Sequence, residues 1–375
     1  MKKQKIAMLI SGGVDSTVAL RLLKEQGHDI TAFYLKIWLE DELSYLGSTC
    51  PWEEDLSFVR SVCDQAGVPL EILSAQKEYW DYVVAYTIAE IKAGRTPNPD
   101  VLCNKQIKFG FFADYIDQKY EKIATGHYAS SCAKATEDGA VTYFLKKAPD
   151  EIKDQTYFLS HLSQQQLSRA LFPIGHLTKP EVRELAQKFD VPNKDRKDSQ
   201  GICFLGKLKF NDFIKHYLGE QPGDMIEFET GKKLGTHKGF WFHTIGQRQG
   251  SGLSGGPWYV IAKDTAKNIV YFSANYYSPD KVRNTFNIEQ CNWLSGKSPE
   301  KQNLHVKIRH GKNMHECTLI LNPDGTGHVK LARDDQGLAA GQFAVFYDGE
   351  YCLGAGVICT PSNDGNPVIT THVAE

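Results

Sequence analysis

The 375-residue chain has no run of about 18 apolar residues, which excludes a membrane span. It has no long apolar stretch near its start. Lys2, Lys3 and Lys5 lead almost at once into a short strand signal at Ile6, leaving no room for a signal peptide, and a cytoplasmic protein is expected. Its nine cysteines are odd in number and scattered, and no two stand as C-x-x-C. That excludes a secreted disulfide framework and the common zinc finger or ribbon. The formal net charge of -2 gives no excess of either sign, so any nucleic-acid surface must come from local basic patches. There is no internal repeat and no low-complexity segment.

What is present describes a globular protein. Hydrophobic residues make up 41% and charged residues 23%, enough to bury a core and spread over two or three domains. Strand and helix signals alternate at first. Ile6 to Ile10, Ile30 to Trp38, Val68 to Leu73 and Lys122 to Ala129 read as strands. Val18 to Leu23, Leu56 to Ala66, Tyr79 to Ala93 and Lys105 to Lys119 read as helices. Such alternation implies βαβ units and a doubly wound parallel sheet. Helices near Ser163 to Ala170, Pro180 to Phe189 and Phe210 to Leu218 follow. From about Met225 the sequence is strands and turns, which predicts two small β modules joined near Pro279.

Between the first strand and the first helix lies Ser11-Gly12-Gly13-Val14-Asp15-Ser16. A helix start offers unpaired N–H groups and partial positive charge, and glycines let backbone approach an anion. Ser11, Ser16 and Thr17 add hydroxyl donors, and Asp15 is placed to hold Mg²⁺ or to orient the loop. The Gly-Lys-Ser/Thr ending of a Walker A loop is missing. The loop resembles instead the pyrophosphate loop of the enzymes that cleave ATP to AMP and pyrophosphate. Three rival motifs fail on context. Gly250-x-Gly252-x-x-Gly255 and Gly252-x-Ser254-x-Gly256 both need a following helix, but Tyr259-Val260-Ile261 reads as strand. Gly201-x4-Gly206-Lys207 is followed by Leu208 rather than Ser or Thr.

Two cysteines stand in unusual surroundings. Cys103 follows Pro97-Asn98-Pro99-Asp100, read as an extended loop with a helix starting just after it. A thiol at a helix start beside Lys105 is expected to have more thiolate character. Cys203 lies in Gln200-Gly201-Ile202-Cys203, near Arg196 and Lys197.

At this point the chain resembles the tRNA-specific 2-thiouridylases, the MnmA/TrmU family. The resemblance runs through Ser11 to Ser16, Ala93 to Gly110, Ala124 to Ala129, Lys153 to Ser160, Lys197 to Gly206, His243 to Gly250 and Gly341 to Glu350. It implies an α/β fold: a PP-loop domain of the adenine nucleotide alpha hydrolase-like type, residues 1–205, with a helical tRNA-contacting segment. A central β-rich domain (206–280) and a C-terminal β-barrel-like domain (281–375) follow.

The activity it implies is ATP-dependent adenylation of the C2 oxygen of a wobble uridine in Lys-, Glu- or Gln-type tRNA. Sulfur transfer then gives 2-thiouridine, AMP and pyrophosphate. By resemblance, Cys203 carries a persulfide from an upstream donor such as a cysteine desulfurase or relay protein. Cys103 is the nucleophile, and a transient Cys103–Cys203 disulfide closes the cycle. Sulfur passes either by direct attack or as released hydrosulfide. Asp100 is the implied acid/base, set with Asn98 and Pro99 against the base. Ser11 to Ser16, Leu35 and Gly126 would take ATP, with Mg²⁺ near Asp15 and no resident metal. Lys153, Asp154, Gln155, His127, Arg309, His310 and Gln342 would meet tRNA. The rival readings are another PP-loop ligase, which needs no cysteine pair, and an RNA-binding module with a relict loop.

Overall fold

The computed structural model describes residues 3–37, 51–135, 139, 141–198, 209–275, 283–335 and 337–359. Short apolar runs separated by helices form the first layer. Strands β1 (Lys5–Leu9), β2 (Asp29–Lys36), β3 (Leu70–Ser74), β4 (Lys122–Ala124) and, later in the chain, Ala170–Leu171 make a parallel sheet. Taking the last as β7, the order is β3-β2-β1-β4-β7. Helices α1 (Val14–Glu25) and α2 (Pro51–Ala66) cover one face together with Lys179–Lys188. The chain winds outward from β1 in both directions. The gap between the ends of β1 and β4 is therefore a topological switch point, where ligands of such sheets bind.

Two long helices carry π-helical turns, which often mark functional positions. In residues 76–92 the turn is Trp80–Val84, and in residues 99–116 it is Cys103–Phe111. The second has a local cause. Gln166 Nε2 donates to the Lys105 carbonyl at 2.8 Å, inserting a side chain into the helical ladder. At Gly110 an added Cβ would lie 2.8 Å from that same carbonyl.

The sequence reading missed one element. Residues 129–147 form a hairpin, β5 (Ala129–Ala135) with β6 (Val141–Lys147), where one strand to Ala129 was expected. The hairpin leaves the parallel sheet and joins the C-terminal sheet, pairing Lys146 with Tyr351 and Leu145 with Cys352. The central 4-stranded sheet uses β8 (Gly223–Glu227), β9 (Lys233–His237), β10 (Tyr259–Asp264) and β11 (Ile269–Ser273). The strand at Tyr259 follows the Gly-rich loop directly, as expected. The C-terminal strands are β12 (Thr285–Trp293), β13 (Asn303–Lys307), β14 (His315–Leu321), β15 (Gly327–Leu331), β16 (Phe343–Asp348) and β17 (Tyr351–Ile358). They run β12-β15-β14-β13-β16-β17, and pairing of β12 with β17 closes the barrel. The expected junction near Pro279 lies outside the described residues.

Candidate functional site

The nucleotide loop leaves β1 and enters α1. Gly12 has φ +76°, in the left-handed region, and an added Cβ would meet the Asp55 carbonyl at 2.8 Å. Two donors hold its own carbonyl: Asn193 Nδ2 at 2.8 Å and Arg196 Nη1 at 2.9 Å. Arg196 is itself fixed by an ion pair with Asp55. Gly13 is the N-cap of α1 and has no side chain to cap the first turn. Val14 opens that turn. Its amide groups are thus available to an anion. The Ser16 and Thr17 hydroxyls both donate to the Gly13 carbonyl at 3.0 Å, and Ser11 and Ser16 hydroxyls meet at 3.3 Å.

Pairing of Met8 with Ala124 brings the turn after β4 against this loop. There Gly126 has no room for a side chain: a Cβ would stand 2.6 Å from the Ser16 amide nitrogen. Asp15 accepts from the Tyr128 hydroxyl at 2.8 Å and from Lys179 Nζ at 2.6 Å. Burial and the Asp15 carboxylate push the Tyr128 phenol far up, so it stays a donor. Lys179 also reaches Asp198 at 2.8 Å, and Asp198 collects Lys153 and Arg183 as well, each at 2.6 Å. Burial works against the Asp198 carboxylate, yet hydrogen bonds from Lys153 and Lys179 outweigh it and hold its carboxyl below the usual range. A glycine cradle at a helix start ringed by Lys179, Arg183, Arg196 and Lys153 fits a polyphosphate. Asp15 is the carboxylate that would face its magnesium ion.

Cys103 is 2% exposed and sits at the carboxyl ends of β2 and β3, in a cluster with Ala75, Ile107, Phe213 and Ile214 that Leu35 also borders. The helix that carries it begins at Pro99, not near Lys105 as expected, because a proline at the first helical position starts a helix rather than prolonging a loop. Cys103 therefore lies after the first turn, and packing covers its thiol. Lys105 is half-buried, and burial lowers its pKa. Cys203 lies outside the described residues. The chain on either side of residues 199–208 is described: Asp198 is tied to Lys179 at the nucleotide loop, while Phe213 and Ile214 of helix Phe210–Leu218 pack in the cluster of Cys103.

Thr96 and Pro97, just before the helix that starts at Pro99, are fastened to the barrel domain. Gln342 Nε2 donates to the Thr96 and Pro97 carbonyls at 2.9 and 3.1 Å, and the Thr96 amide donates to the Ala340 carbonyl at 2.8 Å. Pro99 is buried, Asn98 is 9% exposed and hydrogen-bonds Tyr157, and the charge of Asp100 acts on His310. His310 stacks on Phe158 at 4.5 Å, and burial lowers its pKa. Arg309 beside it pairs with Asp335 through both guanidinium nitrogens, at 2.9 and 2.8 Å. The structure thus gathers Asn98, Asp100, Arg309, His310 and Gln342 at one domain junction.

Two other residues expected at an RNA surface, Asp154 and His127, are enclosed, while Gln155 and Lys153 are half-buried. The Asp154 side chain is 1% exposed and paired with Lys307 Nζ at 3.0 Å. His127 is 8% exposed and bonds Thr125 Oγ1 at 2.7 Å, and burial with nearby Lys108 keeps its ring neutral. Gln155 turns its amide oxygen to the Tyr128 backbone N–H at 3.0 Å. Lys153 keeps its side chain about one-third exposed, at 35%. Sequence reasoning missed Lys179, Asn193 and Lys307, and it set Arg196 and Asp198 beside Cys203 rather than at the nucleotide loop. Thr178 and Glu181 signal a capped helix start, but nothing in the spacing shows that Lys179 returns to the loop.

Among the described residues no helix is long and apolar enough to cross a membrane, and no group of His, Cys, Asp or Glu is arranged to hold a metal ion. Residues 4–207 match the family described as "tRNA methyl transferase HUP domain". Residues 211–274 match its "PRC-barrel domain", and 283–358 match "Aminomethyltransferase beta-barrel domain". Relatives named tRNA-specific 2-thiouridylase MnmA are similar throughout. The protein of Parabacteroides distasonis is 46% identical over 94% of this chain and 98% of its own length. That of Porphyromonas gingivalis is 43% identical over the same shares, and one from Bacteroides thetaiotaomicron, MnmA 1, is 46% identical over 94% and 99%. Among solved structures, an NMN synthetase from Francisella tularensis aligns with TM-score 0.34 at 17% identity, over 52% of this chain and 66% of that one. With 43–46% identity to these relatives over nearly all of its length, the chain belongs to the tRNA-specific 2-thiouridylase family.

Proposed function

We propose that the protein converts the wobble uridine of Lys-, Glu- and Gln-type tRNAs to 2-thiouridine, using ATP with Mg²⁺ and persulfide sulfur from an upstream donor in the cytoplasm. One observation carries the reading: a single edge of one parallel sheet bears both the 11–16 loop, after β1, and the cluster of Cys103, after β2 and β3. A methyl transfer needs no pyrophosphate loop.

Bound ATP supplies an adenylyl group that turns the C2 oxygen of uracil into a leaving group. Ser11 to Ser16 would hold the phosphates, Asp15 the metal, and Leu35 and Gly126 the adenosine. Asn98, Pro99 and Asp100 set the base, which must leave its stack to be reached. Asp100 exchanges the proton. Cys203 brings the persulfide. In one route Cys103 thiolate attacks its inner sulfur, forming the Cys103–Cys203 disulfide and expelling hydrosulfide, which displaces AMP from C2. In the other, Cys103 adds to C2 first and AMP leaves. The outer persulfide sulfur of Cys203 then displaces Cys103 from C2, and the freed Cys103 thiolate attacks the Cys203 sulfur, releasing 2-thiouridine and forming the same disulfide. Both end on the disulfide, which a thiol reductant must reopen. Lys153, Gln155, Arg309, His310 and Gln342 are at hand for the anticodon arm, while His127 and Asp154 act from beneath by shaping that surface.

The test is ATP-dependent incorporation of sulfur into tRNA, with Cys103→Ala and Cys203→Ala as controls. Thiolation lost in both variants supports the reading. Sulfur-free methylation of tRNA, or thiolation indifferent to both cysteines, overturns it.

A further inference from the structure

The sequence lacks the lysine with which a Walker A loop grips the outer phosphates of its nucleotide. A helix start supplies partial charge, which alone is a small counterweight to a triphosphate. The fold brings a full charge to the same place from elsewhere in the chain. Lys179 is the first residue of helix Lys179–Lys188, whose Val182 and Ala186 share a core cluster with Val18 and Ala19 of α1. That packing fixes the start of one helix beside the start of the other. The Lys179 ammonium lies 2.6 Å from Asp15 in the first turn of α1 and 2.8 Å from Asp198. It also stands 5.9 Å from the centre of the Tyr128 ring. Its side chain is only 13% exposed, so little water screens it.

Lys153, Lys179 and Arg183 face the carboxylates of Asp15 and Asp198, while Asp150 accepts from the backbone N–H groups of Lys153 and Lys179. The Lys179 ammonium is thus held by carboxylates whose place phosphate oxygens can take, and Asp15 and Asp198 act as placeholders that keep the lysine oriented.

We propose that Lys179 is the phosphate-gripping lysine of this site: its ammonium holds the two phosphates that depart as pyrophosphate, with Arg183 as the neighbouring cation. The inference rests on the functional reading above, which places ATP at the 11–16 loop. It gives Lys179 a role in discriminating ATP from AMP, because AMP lacks those phosphates.

The experiment measures binding by calorimetry on the full chain with Mg²⁺, using the α,β-methylene analogue of ATP, which cannot be cleaved, and AMP. Lys179→Gln should weaken the ATP analogue about ten- to a hundred-fold, the loss typical of a charge-assisted contact, while AMP affinity changes less than about threefold. Asp198→Asn removes the other end of the tether but keeps the ammonium, and should retain the preference for the triphosphate. This arm still decides the matter should Lys179→Gln fail to give a cooperative melting transition. Equal loss of both ligands in Lys179→Gln, unchanged binding of the analogue, or an Asp198→Asn variant that loses the triphosphate preference would each make Lys179 a mere strut and overturn the inference. If the unmodified chain binds neither ligand, the functional reading itself falls, and the role of Lys179 with it.

Discussion

Asp154 and Lys307 form an ion pair at 3.0 Å with 1% and 4% of their side chains exposed, joining the segment before helix Thr156–Leu159 to strand β13 of the barrel. The Thr156 hydroxyl donates to Asp154 at 2.9 Å, and Lys307 lies 5.6 Å from the centre of the Tyr347 ring. A buried pair of this kind adds little over an apolar one, but removing one partner strands a charge. Lys307→Met is expected to destabilise the fold by about 3–5 kcal/mol in chemical denaturation, and Asp154→Leu with Lys307→Met to recover much of that loss. Asp154→Ala should lower tRNA binding only in proportion to lost folded protein. A lower affinity with undiminished stability would show that Asp154 meets RNA directly.

Gly126 has the backbone of Ser16 where a side chain would begin, at 2.6 Å. Neither partner is a flexible side-chain end, so an extra methyl group must displace the first turn of α1. Gly126→Ala should cut ATP affinity by at least about tenfold, in line with one or two lost backbone contacts to phosphate, while tRNA binding by filter retention stays near the unmodified value. Unaltered ATP binding in this variant would move the nucleotide away from the loop.

Legibility followed the range of the interactions. The parallel sheet was readable because short apolar runs, helical periodicity and Gly-Gly before a helix are local signals. The start of the Cys103 helix was misplaced because two prolines look alike in sequence, yet Pro99 at the first helical position begins a turn whereas Pro97 precedes it. The β5–β6 hairpin was hidden because the strand read from Lys122 to Ala129 runs across Thr125-Gly126-His127, and only the pairing of Leu145 and Lys146 with Cys352 and Tyr351 sets the hairpin apart from β4. Asn193, Arg196 and Lys179 reach the nucleotide loop from more than 160 residues away, at sequence separations of 181, 184 and 164. No spacing rule predicts such contacts. His127 and Asp154 sit in recognisable motifs, but a motif does not say which side of the backbone is buried.

Arg309 is 44% exposed on its side chain and is held by Asp335 in a two-point contact, which orients the guanidinium without enclosing it. Such a group suits an RNA phosphate. Arg309→Gln should lower the slope of log affinity against log salt concentration by roughly one unit and weaken all substrate tRNAs alike. The measurement is a salt titration with tRNA and without ATP. A slope equal to that of the unmodified protein would take the RNA backbone off this residue.

The last expectation concerns Cys103 and Cys203. Cys103 is enclosed by Ile107, Phe213 and Ile214, and burial of that kind protects a thiol from solution reagents. In the protein without tRNA, alkylation of Cys103 should be slower than that of Cys132, which is only half-buried. Asp198 is held at the nucleotide loop and Phe213 in the Cys103 cluster, so described residues before and after Cys203 lie in the two halves of the site. A disulfide needs the two Cα atoms within about 7 Å. One turnover with persulfide sulfur, ATP and tRNA but no reductant should yield a Cys103–Cys203 bridge, mapped by mass spectrometry, in step with thiolated tRNA. Adding a thiol reductant should reopen it and restore further turnovers. If thiolated tRNA accumulates while both cysteines stay reduced, or if Cys203→Ser keeps full activity with a persulfide donor, sulfur reaches the uridine by a path that does not use this pair.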